Sequence, residues 1–218
     1  MKKSLLCLTA AVILAFSMSG CGDVSDSSSA ESAKDALANT ESVETPPELP
    51  DIEPVPVPEG GWTEETIQDV IYINGKNVHL PCKFEEFGDG FEISIDEYTK
   101  FNDDNHAFVT YKYNDIMIGG MGIDNCANQD ELQSGDVVYI WCSTDYLEDG
   151  SDNRAPVSIN GVSLGSTKED IENNLDFEMA EVKKGSDYSG NAQIGNFSIS
   201  LIVENNTLDI MTIAYHVN

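Results

Sequence analysis

Ile71-Tyr72-Ile73-Asn74-Gly75 and Val157-Ser158-Ile159-Asn160-Gly161 are two copies of one phrase, and the fold class follows from reading them together. The first copy runs on to Leu80-Pro81 and Glu85-Glu86-Phe87, the second to Leu164-Gly165 and Glu169-Asp170-Ile171. Asn-Gly between strand formers suits a type I′ hairpin, whose two central residues both need positive φ. Each copy therefore reads as strand, tight turn, second strand and short helix. In the second copy Ser166 precedes Glu169 by the spacing of a capping box, and Ile171 and Leu175 fall on one helix face. In the first, Phe84 and Phe87 form the apolar pair and Gly88 ends the turn.

Strand-like segments follow each short helix. After the first they cover residues 91–95, 107–113, 116–123 and 137–142, with Asn114-Asp115 as a hairpin turn. After the second they cover residues 177–182, 197–203 and 208–216. Phe197-Ser198-Ile199-Ser200-Leu201 alternates apolar and polar, the mark of an antiparallel strand with one wet face. Strands with a helix on one face give an α+β fold, arranged as two small lobes of antiparallel sheet: a mostly-β lobe over 61–153 and an α+β lobe over 154–218. Gly119-Gly120-Met121-Gly122 lacks the Lys-Ser/Thr and the helix of a phosphate loop, and reads instead as a strand bulge or a close backbone approach.

The chain begins with a different kind of signal. Met1-Lys2-Lys3 precedes about a dozen apolar and small residues, too few to span a bilayer, which needs ~20. Ser17-Met18-Ser19-Gly20-Cys21 resembles a lipobox, so residues 1–20 are expected to be a signal peptide and Cys21 the lipidated (palmitate-type) residue. Residues 21–60 are rich in Ser, Ala, Glu, Asp and Pro, too poor in large apolar side chains to fold, and read as a disordered acidic and Pro-rich linker. Together these place the protein outside the cell membrane, held there by lipid.

Charge narrows the partners. The chain carries 11 basic and 39 acidic residues, a formal net charge of −28, made two units more negative if Lys2 and Lys3 leave with the signal. Nucleic-acid binding is excluded, because it draws on clustered Lys and Arg to neutralise phosphates. Direct electrostatic docking on anionic lipid is excluded for the same reason. An envelope protein or a glycan remains open as partner.

Candidate sites are few. Cys82, Cys126 and Cys142 permit one disulfide and one free thiol, with the pair undetermined by spacing. Three ligands from Asp145, Asp149 and Asp152 make an irregular calcium loop the one metal candidate; Leu147 breaks the EF-hand pattern, and no other cofactor is indicated. His79, His106 and His216 lack a nearby nucleophile motif. Helix-start acids such as Glu85, Glu86, Glu169 and Asp170 suit the helix dipole more than catalysis. Trp62, Trp141, Tyr111, Tyr113 and Tyr139 form a candidate aromatic platform of the kind carbohydrate binders use.

Two resemblances bear on this reading. Asn74-Gly75 with Leu80-Pro81-Cys82 and Phe87-x-x-Gly90 is similar to a phrase of uncharacterised lipoproteins of Gram-positive (Firmicutes-type) gut and rumen bacteria. The stretch Asn160-Gly161-Val162-Ser163-Leu164-Gly165-Ser166-Thr167-Lys168-Glu169-Asp170-Ile171, with the pattern closing between Ile199 and Ile213, resembles the fold shared by β-lactamase-inhibitor proteins and small outer-membrane assembly lipoproteins. That resemblance implies a short helical opening, an antiparallel sheet and a sheet face that binds another protein; it carries no catalytic residue across. The function expected is a non-enzymatic binding or interaction module of the cell envelope, with an envelope enzyme acting on wall polymer or peptide through acidic residues as the alternative.

Overall fold

Both Asn-Gly turns adopt the conformation that their composition requires. Asn74 and Gly75 have φ of 49° and 73°, and Asn160 and Gly161 have 47° and 78°, the paired positive values of a type I′ turn. The computed structural model describes residues 50–147 and 155–217, all within one compact unit spanning 45–218. Its elements in chain order are α1 (Glu64–Gln68), β1 (Ile71–Ile73), β2 (Lys76–Asn77), a 3-10 turn (Phe84–Phe87), β3 (Phe91–Ser94), β4 (Lys100–Phe101), β5 (His106–Tyr113), β6 (Ile116–Asp124) and β7 (Asp136–Ser143). Then come β8 (Val157–Ile159), β9 (Val162–Ser163), α2 (Lys168–Leu175), β10 (Ala180–Lys183), β11 (Asp187–Ile194), β12 (Phe197–Glu204) and β13 (Thr207–Tyr215).

The two hairpins pair with each other. β1 runs antiparallel to β8 with Ile71 opposite Ile159, Tyr72 opposite Ser158 and Ile73 opposite Val157, giving the sheet order β2-β1-β8-β9. Asn74 N donates to Pro156 O at 2.6 Å and Asn160 N donates to Val70 O at 2.8 Å, so the contacts of one copy are mirrored in the other. A local two-fold therefore passes between Tyr72 and Ser158.

The same symmetry governs the large sheet. Its order is β10-β11-β12-β13-β7-β6-β5-β3, with β4 also pairing β5. Each copy contributes a meander whose last strand meets its counterpart at the centre, where Trp141 lies opposite Thr212. Helix-poor antiparallel sheet with short helices is the α+β class expected. The sequence did not announce that residues 61–147 and 155–217 share both sheets. Neither copy alone could cover its apolar faces, and each finds the missing surface in the other.

One core results. Ile71, Ile73, Val157 and Ile159 of the small sheet, Phe84, Phe87, Ile171 and Leu175 of the helical turns, and Val109, Met121, Ile140, Ile199, Leu201, Met211 and Ile213 of the large sheet are all buried in it. Each such side chain contributes about 1.5–3 kcal/mol when fully buried. The triple glycine permits close approach: a Cβ on Gly119 would collide with the carbonyl of Trp141, and the β5–β6 register shifts between Tyr111 and Lys112.

Four sequence expectations need correction. The N-cap of α2 is Thr167, not Ser166: Asp170 N donates to Thr167 Oγ1 at 3.1 Å and Thr167 N to Asp170 Oδ2 at 2.8 Å. Ser166 is already committed, its hydroxyl accepting from Ser163 N at 3.0 Å. The strand expected over 177–182 begins only at Ala180, because Phe177 and Met179 turn into the core. β11 and α1 were not anticipated. β11 hides because its inward positions include Gly190, whose missing side chain makes room for Met179 Sδ, and Ala192.

The fourth correction concerns the linker. Its residues 21–49 lie outside the described residues, as do the signal peptide and Cys21. From Pro50 onward the chain is docked, not disordered. The Pro50 ring lies over Gly75, and Ile52 O lies over Gly161. Asn160 holds Val55 through both backbone groups, accepting from Val55 N at 2.7 Å and donating to Val55 O at 2.9 Å. Further on, Trp62 Nε1 donates to Leu175 O at 2.8 Å and Asn196 N donates to Glu64 Oε2 at 3.0 Å. Residues 50–64 are thus a strap that starts over the Gly75 turn of the first copy and runs across the second, fixed by hydrogen bonds to backbone groups that composition alone does not reveal.

Candidate functional site

The large sheet has two unlike faces. Side chains alternate along each strand, so every cross-strand row belongs to one face. The row Val109, Met121, Ile140, Ile213, Ile199 points into the core. The neighbouring row runs Thr110, Gly120, Trp141, Thr212, Ser200, Asn191 on the opposite face. A second open row runs Phe108, Gly122, Tyr139, Ala214, Ser198, Gln193. Phe108, Tyr139 and Trp141 stand outside the core and are only half-buried.

Glycine shapes this open face. Phe108 lies over Gly120, where a Cβ would come within 2.6 Å of its ring, and the His106 ring lies over Gly122. Phe108 and Tyr139 have ring centroids 6.1 Å apart, and Tyr146, from the turn Thr144–Tyr146 at the rim, meets Trp141 edge-on at 5.5 Å. Burial pushes the Tyr139 phenol up, partly offset by its hydrogen bond with Thr212. Across β6, β7, β13 and β12 the two rows carry no ionisable group apart from that phenol. In a chain of net charge −28 this is an uncharged window.

The structure divides the expected aromatic platform. Trp141 and Tyr139 sit together on the open face. Tyr111 is fully buried against Phe87 and Phe91, and burial pushes its phenol well up; its hydroxyl has no hydrogen-bond partner among the described residues. Trp62 and Tyr113 pack against the core instead. Sequence reasoning missed Phe108 and Tyr146, although Phe108 alternates with Ala107 and Val109 and so had to lie on the opposite face.

A second feature is an acidic cavity of about 470 Å³ at one end of the sheet, lined by Pro81, Asp104, His106, Asp124, Asn125, Asp136 and Val217. Its charges are largely matched internally. His106 Nδ1 lies 2.6 Å from Asp124 Oδ1, and Lys83 Nζ lies 2.7 Å from Asp136 Oδ1. Hydrogen bonds from Lys83 and from Asn125 hold the Asp136 carboxyl below the usual aspartate range. An oriented histidine of this kind can act as a base, but the lining includes no Ser, Thr or Cys for it to activate. The other two histidines lie apart: His79 Nε2 is 3.4 Å from Asp69 Oδ1, and His216 Nε2 is 2.9 Å from Ser198 Oγ.

Cys82, Cys126 and Cys142 are free, buried thiols. Burial pushes Cys82 and Cys142 up to about 12, and raises Cys126 too, so all three stay protonated and unreactive. Of the calcium candidates, Asp145 is exposed in the turn after β7, while Asp149 and Asp152 lie outside the described residues. Among the described residues no three His, Cys, Asp or Glu side chains converge as metal ligands. No described helix is long and apolar enough to cross a membrane. No protein-family model, curated protein or solved structure matches the chain.

Proposed function

We propose that the chain is a lipid-anchored binding module of the cell envelope, acting without catalysis on the outer side of the membrane and contacting its partner through the open face of the large sheet. The observation that carries this reading is that face: half-buried aromatic rings over glycines, beside Ser and Thr rows, outside the core. A soluble sheet face of no function would be expected to carry the charges that dominate the rest of this chain. The lipobox-like ending at Cys21 supports the anchor, and the resemblance of residues 160–171 and 199–213 to sheet-binding folds supports the surface.

Two measurements test this reading. Metabolic labelling with an alkyne fatty acid should tag the wild-type chain and not Cys21→Ser; equal labelling removes the anchor. A photo-cross-linking residue at Thr212 should capture envelope material in intact cells, whereas one at Asn173, on α2, should not. Capture from neither position would overturn the binding reading.

A further inference from the structure

Resting on that reading, we infer that the partner is an uncharged polysaccharide, a chain of neutral hexopyranose units that stacks on Trp141 and Tyr139 and runs across β13, β12 and β11. Charge is the first argument. A chain of net charge −28 repels polyanions and a second copy of itself, yet the two open rows present no carboxylate across β6, β7, β13 and β12, the nearest being Asp124 beside His106 and Asp96, which accepts from the Thr110 hydroxyl. An uncharged ligand fits an uncharged window without leaving a desolvated ion on either side.

Surface chemistry is the second argument. A sugar ring offers an apolar C–H face and a rim of hydroxyls. Phe108, Tyr139, Trp141 and Tyr146 supply rings for the first, and the missing side chains at Gly120 and Gly122 let the Phe108 and His106 rings lie down on the sheet beside Tyr139 and Trp141. Thr212, Ser200 and Asn191 in one row, and Ser198 and Gln193 in the next, supply donors and acceptors for the second. Strands lie about 4.8 Å apart, close to the length of one hexopyranose unit, so each strand crossed meets about one sugar. Ser198, Gln193 and Thr212 already bond His216 Nε2, Gly195 O and Tyr139, and a flat apolar protein partner would cover Ser200 and Asn191 without offering them a polar group, at a cost.

The test uses the full-length chain in detergent micelles with cellohexaose, chitohexaose and mannohexaose as neutral probes and polygalacturonate as the anionic one. At least one neutral hexasaccharide should quench tryptophan fluorescence and bind, with polygalacturonate inert. Trp141→Ala should weaken binding by about tenfold, and the exposed Tyr146→Ala by about threefold. Trp62 remains in Trp141→Ala to report that the fold is intact. Preference for polygalacturonate, or unchanged binding by both variants, overturns the glycan inference. So does failure of all three neutral probes at millimolar concentration while the Thr212 cross-linker still captures protein; that outcome leaves the binding-module reading standing. Failure of probes and cross-linker together removes both.

Discussion

The two copies of the repeated unit reach the same topology with different fillings. In the first, the helical element is a single 3-10 turn, and the space beneath it is filled by rings: Phe84, Phe87, Phe91, Tyr111 and Tyr113 form a connected cluster whose neighbouring rings lie 4.7–6.4 Å apart, centroid to centroid. In the second, α2 has two turns and presents Ile171 and Leu175 to an aliphatic sheet face of Ile199, Leu201 and Met211. The hairpin Asn residues differ too. Asn160 is buried and binds Val55 twice and Asn174 O once, whereas Asn74 takes one side-chain bond, from Tyr113 Oη at 3.1 Å. A topology therefore constrains the volume to be filled and leaves open which side chains fill it.

The largest break in that comparison should come from the fillings themselves. Phe87→Ala removes the hub of the ring cluster and should cost about 3–5 kcal/mol, against about 2–4 kcal/mol for Leu175→Ala, measured by urea unfolding. If the two copies share one core, both variants should still unfold in a single transition. Two separate transitions would mean that the copies are independent.

Next come the hairpin asparagines. Both alanine variants lose the same tolerance of positive φ, so the difference reports the two Val55 bonds and the Asn174 bond of Asn160 against the one Tyr113 bond of Asn74. Asn160→Ala should cost about 2 kcal/mol more than Asn74→Ala, because it leaves the backbone of Val55 without partners. Hydrogen exchange should quicken at Val55 in the first variant only. Equal costs would mean that the strap contributes nothing.

Smaller is the helix cap. Thr167→Ala should cost about 1 kcal/mol, since α2 begins on a full capping box, whereas Ser166→Ala at the position one residue earlier should cost less. The smallest effect is electrostatic and concerns the Asp136–Lys83 bracket of the first copy. Folding holds the Asp136 carboxyl below its ordinary value of 3.8, so its bracket with Lys83 stabilises above that value and is lost as pH falls toward the lower folded value. Melting temperatures of wild type and Asp136→Asn should differ near neutral pH and converge in acid. A gap that widened in acid would reverse the assignment.

Much of this architecture was legible where chemistry is local. The I′ turns at Asn74-Gly75 and Asn160-Gly161 followed from the need for positive φ, Asn114-Asp115 was read as a hairpin turn, β12 and β13 followed from apolar alternation, and β5, β6 and β7 were read as strand-like segments. β11 was illegible because its core face is made partly of absence, with Gly190 yielding to Met179. The open face was half legible: Trp141 and Tyr139 were named as ring platform residues, but Phe108, Tyr146 and the hydroxyl rows gain meaning only once strands set them side by side.

By itself the sequence determined the repeat, the turns, the α+β class and the acidic charge, because each depends on residues near one another in the chain. The proposed address at Cys21 likewise rests on adjacent residues alone. Tertiary structure decided that the copies interlock through β1–β8 and β7–β13, that residues 50–64 strap the second copy, and that two adjacent open rows of the large sheet carry no charged side chain across β6, β7, β13 and β12. Those depend on cross-strand register and long-range hydrogen bonds, which join residues far apart in sequence and leave no periodicity along it.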